Sequence, residues 1–593
     1  MKALLFGNEA IARGAYEGGV QVATGYPGTP SSEILENISA YKEIYSEWST
    51  NEKVAMDVAI GAAYAGRRAI VTMKSVGMNV AADSIFYVVY TGLEAGLVIV
   101  TADDPGMFSS QNEQDNRHYA KMAKMPLLEP ADSQEAKDLV ILGLEVSEKF
   151  DTPVLLRTTM RISHSKSAVK LGERIEVGSE AKPFVRNPHK YVCTALWARA
   201  RHPVVEQRMK QLAEYAETFP YNRLELRDRS LGIVSSGAVY QYAREVFPEA
   251  SFLKLTMTYP LPRQLVRRFA EEVARVIVIE ELDPFLEEEI SLMGIRAPGK
   301  AIFPPVGELL PHTIEKRAIE AGLLPNARAI DTHHVTPLNL PERSPVLCPG
   351  CPHRSVFYVL KKLNIVVTGD IGCYNLGALP PFSATHTMGC MGASIGVAHG
   401  LDKAGIPDVF VAVIGDSTFF HAGIPPLLNI VHNKGKSTVI LLDNRTTAMT
   451  GHQDHPGTNT TLMGEETEEV GLEPLVRAMG VKEVRVVDPW NLDEVERGIR
   501  NCLDHDGPAV LIVSGPCVFV GAERGPAYEV DSDMCNGCGL CFRLGCPAIV
   551  QSEEMDLKRK RPKAEIDKVL CFGCDLCAQL CPCDAIRAND DTS

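Results

Sequence analysis

Short apolar runs alternate with longer amphipathic ones along most of the chain. In residues 1–160, "RRAIVTMKS" and "GLVIVTADDPG" read as buried strands closed by polar or Gly-rich turns. Helical patterns such as "NEKVAMDVAIGAAYAG" accompany them. This alternation predicts a parallel sheet flanked by helices. Residues 161–229 break the rhythm with scattered charges and one helical run, "ALWARARHPVVEQRMKQLAEYAE", expected to be a connector packed on the surface. A second α/β unit follows in "LGIVSSGAVYQYAREVF" and "RVIVIEELDPFLEEEI", and the polar "HHVTPLNLPERSP" marks its end. A third has strands at "IVVTGD", "DVFVAVIGD", "STVILLDN" and "PAVLIVSG". From about residue 525 the chain becomes small and Cys-rich. The expected class is multidomain α/β, divided as 1–165, 166–229, 230–340, 341–524 and 525–593.

Composition narrows the function classes. The chain has 593 residues, 45% hydrophobic and 23% charged, as in a globular protein with large cores. Sixty basic against 75 acidic residues give −15, which disfavours nucleic acid as a partner. The opening "MKALLFGNEA" has too short an apolar run for a signal peptide, and no run is long enough to span a membrane. A cytoplasmic protein with no membrane partner is expected. Eight of the 16 cysteines crowd into residues 535–581 at ligand spacing, so metal binding explains them better than disulfides.

"CNGCGLCFRLGCP" supplies Cys535, Cys538, Cys541 and Cys546; "CFGCDLCAQLCP" supplies Cys571, Cys574, Cys577 and Cys581. In such double runs the fourth Cys of each ligates the other cluster. Two [4Fe-4S] clusters are therefore expected, one on Cys535, Cys538, Cys541 and Cys581, the other on Cys571, Cys574, Cys577 and Cys546. Zinc is the bland alternative, but it does not need four thiolates per run followed by proline. The first run carries four residues before its last Cys where the bacterial pattern has three, which widens a loop. Cys583 is extra and has no assigned role. "DLKRKRPKAEID", between the runs, reads best as a solvated turn between strands; the sharper reading is a dock for an acidic electron carrier.

The other strong signal is "GDSTFFHAGIPPLLNIVHNKGKSTVILLDN". Gly415, Asp416 and Ser417 close one strand and Asn444 closes the next. Adjacent parallel strand ends share a crevice where α/β folds bind ligands. An Asp carboxylate, an Asn amide oxygen and a backbone carbonyl suit Mg²⁺, and a Gly lets backbone approach phosphate. Turn-forming pairs of this kind also occur without a ligand. The stretch resembles the thiamine-diphosphate motif, with Ser417 in place of the commoner Gly and Arg445 where some families have a second Asn. That resemblance implies Mg²⁺ on Asp416, Asn444 and the Thr446 carbonyl.

The resemblance widens upstream. "GNEAIARGAYEGGV", "GYPGTPSSEI" and "NEKVAMDVAIGAAYAG" are similar, in order, to the pyrimidine-binding domain of 2-oxoacid:ferredoxin oxidoreductases. By itself Glu52 is a helix-start Glu favoured by the dipole; by the match it is the carboxylate that activates thiamine. Thr29 falls on the Thr that contacts the substrate carboxyl group. In relatives, a "CPGC" pair and Cys residues in "IGC" and "PC" segments hold a further cluster near the thiamine; here these are Cys348, Cys351, Cys373 and Cys517. Buried thiols or a lost site are the alternatives. Cys390, in "HTMGCMGASIG", matches none of them and is expected in the core. Met391 is a candidate brace for the cofactor, or simple packing.

The whole chain resembles the large subunits of the indolepyruvate branch of that family, through "DDPGMFSSQNEQDNRHYA" and "GDSTFFHAGIPPL". The resemblance implies a pyrimidine domain, a transketolase-C-like domain, a diphosphate domain and a two-cluster ferredoxin domain. It also implies oxidative decarboxylation of an arylpyruvate with coenzyme A, electrons leaving singly to a ferredoxin, and a smaller β subunit in an α2β2 assembly. Pyruvate or a branched 2-oxoacid as substrate, a non-oxidative decarboxylase, and a pure electron relay are the competing readings.

Overall fold

The structure, a computed structural model, describes residues 1–177, 184, 186–325, 340 and 344–589. Most of "HHVTPLNLPERSP", the expected boundary, lies outside them. The chain forms two compact units, Met1–Leu338 and Asn339–Ser593.

The first unit is built on a seven-stranded sheet. Its order is Met257–Tyr259, Leu127–Leu128, Val154–Thr159, Leu97–Asp103, Ala69–Lys74, Val22–Gly25 and Tyr45–Trp48. All pairs are parallel except the first. Strands such as Leu97–Asp103 are buried at every position because helices cover both faces, so they read as continuous apolar runs. A second sheet places Val276–Ile279, Asp228–Ser236 and Ala250–Leu255 in parallel, with Arg223–Glu225 antiparallel at its edge. One apolar core runs through both sheets, from Met56, Ile85 and Ile99 to Val234, Leu253 and Phe269. Lys166–Lys170, at the start of the stretch read as connector, pairs with Lys2–Phe6. The helical run in that stretch is helix Ala195–Ala216, which buries Val205, Arg208, Leu212 and Ala216.

The second unit has a six-stranded parallel sheet. Its order is Thr387–Met388, Val366–Gly369, Phe410–Gly415, Thr438–Asp443, Ala509–Ser514 and Glu483–Val487. Side chains alternate across it. Val411, Val413, Ile440 and Leu442 face helices Arg354–Lys362 and Leu492–Leu503; Ala412, Ile414, Val439 and Leu441 face Ala393–Ala404 and Ile424–His432. Beyond it, Tyr528–Val530 pairs with Ile586–Ala588, and Ile549–Asp556 with Arg561–Ile566. The basic stretch is the turn of the latter hairpin. Among the described residues, no helix is long and apolar enough to cross a membrane.

Candidate active site

Strands Phe410–Gly415 and Thr438–Asp443 are neighbours in parallel register, so Asp416 and Asn444 emerge side by side at their carboxyl ends. Asp416 is 2% exposed. Its carboxylate accepts from Ser417 N at 2.8 Å, Arg445 N at 2.7 Å and Asn444 N at 3.2 Å. His455 Nε2 lies 3.3 Å away. The left-handed turn at Arg445, φ +58°, aims these consecutive N–H groups at one carboxylate; Asn favours that conformation, which accounts for its use there in other families.

The Asn444 side chain is the test for a cation. Its terminal amide atom sits 3.1 and 3.3 Å from the Asp416 carboxylate oxygens and 2.9 Å from the Thr446 carbonyl oxygen. Placed as oxygen, it faces three other acceptor oxygens with no proton between them. Turned over, the amide donates to all three. The first arrangement suits a bound cation: octahedral Mg²⁺ with bonds of about 2.1 Å holds neighbouring oxygens about 2.9 Å apart. The residues therefore fit Mg²⁺ as well as they fit its absence. Ser417 faces the same loop, its hydroxyl accepting from Thr447 Oγ1 at 2.8 Å.

Sequence reasoning missed Asp370. It closes strand Val366–Gly369 and is fully buried. Its carboxylate accepts from Ile371 N, Gly392 N and Ser394 N at 2.9–3.0 Å, anchoring the start of helix Ala393–Ala404. Burial raises its pKa against the pull of those N–H groups. The "TGD" that contains it repeats the Gly-Asp of 415–416 and was the available signal. Gly392, at φ +84°, comes so close to the Ala422 carbonyl that an added Cβ would sit 2.5 Å from it. Met391, beside it, is half-buried. Cys390 is exposed, not in the core: the loop leading to this helix leaves residues 386–390 on the surface.

Cys348, Cys351, Cys373 and Cys517 gather next to this site. Burial pushes Cys351 up to about 12 and Cys373 to about 11, and each is raised further by others of the four. Cys348 is raised too, by burial and by Cys517. Such thiols stay protonated unless a metal takes the proton's place. The link to the Asp416 loop is direct, since Cys517 N donates to the Asn444 carbonyl at 3.0 Å. Tyr374, after Cys373, lies against Gly415, where an added Cβ would meet the ring at 2.6 Å.

The two Cys runs interleave. One cavity is lined by Cys535, Cys538, Cys541 and Cys581. Another is lined by Cys546, Cys571, Cys574 and Cys577. The fourth Cys of each run thus faces the other's cavity. Burial pushes Cys541 and Cys574 up to about 11 and Cys577 higher still. Arg354, on the wall of the second cavity, is 1% exposed. It donates to the carbonyls of Leu347, Leu544 and Cys348, the last at 2.8 Å. Its buried Nε–H has no hydrogen-bond partner among the described residues. An orphaned cationic donor beside four thiols suits an anionic iron–sulfur cluster.

In the first unit, Glu52 opens helix Glu52–Tyr64, capped by Asn51, whose side chain accepts from Val54 N at 2.9 Å. Glu52 is 6% exposed. Room for its carboxyl is made by Gly77, where a Cβ would sit 2.7 Å from Oε1. Thr29 is half-buried in the loop before helix Ser32–Ile38. Ser109 Oγ donates to its carbonyl at 3.3 Å, and Lys74 Nζ to the Ser109 carbonyl at 2.6 Å. Burial lowers the Lys74 pKa, with Asp104 opposing. The 103–117 segment is tied down by buried ion pairs: Arg157 with Asp103 and Glu129, Arg117 with Asp115 and Glu280.

Comparison with known families gives two matches. Residues 370–513 match "Thiamine pyrophosphate enzyme, C-terminal TPP binding domain". Residues 13–221 match "Pyruvate flavodoxin/ferredoxin oxidoreductase, thiamine diP-bdg". Among individual relatives, the indolepyruvate oxidoreductase subunit IorA of Methanothermobacter thermautotrophicus is 43% identical over 93% of each chain. The subunits of the same name from Archaeoglobus fulgidus and Pyrococcus horikoshii are each 40% identical, over 93% of each chain and over 95% and 94% respectively.

Proposed function

The chain belongs to the family of indolepyruvate oxidoreductase subunits IorA, and on that footing we propose that it catalyses oxidative decarboxylation of arylpyruvates, indolepyruvate foremost. With coenzyme A the products are the aryl-acetyl-CoA and CO2. Two electrons leave per turnover, one to each of two ferredoxins. The chain is the large subunit of a cytoplasmic α2β2 assembly with a smaller β subunit.

Bound thiamine diphosphate supplies the electron sink for loss of CO2, and iron–sulfur clusters accept electrons one at a time. The chain's residues do the rest. Asp416, the Asn444 amide oxygen and the Thr446 carbonyl hold Mg²⁺, and Gly415 and Ser417 let the diphosphate approach the backbone. Glu52 holds the proton shared with the cofactor's pyrimidine nitrogen; a carboxyl in a closed pocket keeps that hydrogen bond short of water's competition. The Thr29 hydroxyl orients the substrate carboxylate. Cys535, Cys538, Cys541 and Cys581 hold one [4Fe-4S] cluster, Cys571, Cys574, Cys577 and Cys546 a second, and Cys348, Cys351, Cys373 and Cys517 a third.

The observation that supports this most is the hydrogen bond from Cys517 N to the Asn444 carbonyl. It joins one cysteine of the quartet to the backbone of a cation-ready oxygen cluster, a proximity that coupling decarboxylation to electron removal needs. The test is anaerobic mixing of the complex, with its smaller subunit, with coenzyme A and either indolepyruvate, pyruvate or a branched 2-oxoacid. Indolepyruvate is expected to bleach the cluster absorption fastest, and Glu52→Gln to abolish bleaching while iron content stays. Aldehyde release without bleaching, or isolation without thiamine diphosphate, would sink the reading.

A further inference from the structure

The two-cluster reading uses eight of the nine cysteines between residues 535 and 583 and leaves Cys583 idle. The structure does not leave it apart. Cys583 lines the same cavity as Cys535, Cys538, Cys541 and Cys581. Its sulfur lies 3.8 Å from that of Cys581. Two thiolates on different corners of one [4Fe-4S] cluster stand farther apart than this, so both sulfurs address the same corner.

The backbone already supports one of the two sulfurs. Ala585 N donates to Cys581 Sγ at 3.3 Å. Asn536, between Cys535 and Cys538 on the opposite loop, lines the same cavity as Cys583. N–H groups aimed at sulfur are what a cluster-bound thiolate needs to disperse its charge. Only Pro582 separates the two cysteines, so a small rotation of the chain exchanges one sulfur for the other at the iron.

We propose that Cys583 is a second fourth-ligand position for the cluster held by Cys535, Cys538 and Cys541, able to replace Cys581 at the same iron. The exchange is a ligand substitution without net oxidation. The iron–sulfur bond to Cys581 breaks, Cys581 takes up a proton, and Cys583 gives one up as its thiolate binds. Its use is retention: a cluster at the protein's surface that loses one ligand keeps four. The inference rests on the two-cluster reading above.

The test uses the anaerobically isolated complex with its smaller subunit. Cys581→Ala is expected to keep wild-type iron and sulfide and a reduced-state EPR signal of altered shape. Cys581→Ala/Cys583→Ala is expected to lose one cluster, about four irons per chain. Loss of the cluster, or a three-iron signal, in Cys581→Ala alone would overturn the proposal. Should that variant accumulate poorly, alkylation followed by mass spectrometry decides on the iron-loaded fraction. Cys583 is expected to react in wild type and to be protected in Cys581→Ser; equal reaction in both overturns the proposal. Wild-type complex with iron for fewer than two clusters would instead refute the two-cluster reading itself.

Discussion

Replacing Arg354 by Met removes three donors and one charge from the wall between two cysteine clusters. The carbonyls of Leu347 and Leu544 lose their partner, that of Cys348 keeps Cys351 N at 3.1 Å, and Arg354 is among the most buried large side chains of the chain. Methionine fills most of the volume and removes the buried charge with its desolvation cost. The net loss is then set by the two stranded carbonyls, about 1–3 kcal/mol for each that finds no water, or about 2–6 kcal/mol together. At an m-value of about 3 kcal/mol/M this lowers the anaerobic urea midpoint by about 0.7–2 M, read from cluster absorption, which reports on the second unit. The charge has a separate readout. For scale, a unit charge about 7 Å from a redox centre at an effective dielectric of about 20 is worth about 2.4 kcal/mol, roughly 100 mV for one electron. Loss of a positive charge disfavours reduction, so the potential of the cluster on Cys546, Cys571, Cys574 and Cys577 falls by up to about that amount. Arg354→Lys keeps the charge and loses the fork, so the potential largely recovers while the midpoint does not. A Met variant with both quantities at wild-type values would refute the reasoning.

Gly77→Ala drives a methyl toward the Glu52 carboxyl, whose movable end gives way, so stability changes little while kcat falls about 10–100-fold; steady-state turnover beside an unfolding curve checks it. Asn444→Leu leaves the strands intact but removes one oxygen from the Asp416 cluster, and the affinity for thiamine diphosphate at fixed Mg²⁺ is expected to fall at least about 10-fold in calorimetric titration. Glu17 is buried, which by itself would raise its pKa, but Lys137, Arg13 and Gly172 N–H outweigh this and lower it. A depressed carboxylate contributes stability above its unfolded pKa of about 4.3 and loses it as pH falls. Amide protection factors in helices Gly7–Glu17 and Ser133–Phe150 should therefore fall as the pH drops below about 4.3 in wild type, and much less so in Glu17→Gln.

The candidate chemistry of this chain was legible because the residues proposed for it are local in sequence. Cysteines three apart, or an Asp and an Asn at the ends of two apolar runs, announce themselves without knowledge of the fold. Buried strands such as Thr438–Asp443 were legible for the same reason. The edge strand Glu483–Val487 was not, because it is half exposed and carries Glu483 and Arg485 in its pattern. Cys390 was misread for the converse reason: small, apolar neighbours look like core, yet here they form an exposed approach to a helix.

What stayed hidden is the apparatus that holds ligands in place, and its partners are remote in sequence. Arg354 meets Leu544 across 190 residues, and Arg117 meets Glu280 across 163. Neither pairing leaves a periodicity or a spacing to detect. Cys583 falls between the two cases. Its position after Cys-Pro was visible, but a fifth thiol at a four-thiol site has no meaning until it is seen to share one cavity with the loop around Asn536, 47 residues earlier. A sequence thus names the atoms that can bind a metal, while the fold decides which compete for the same one.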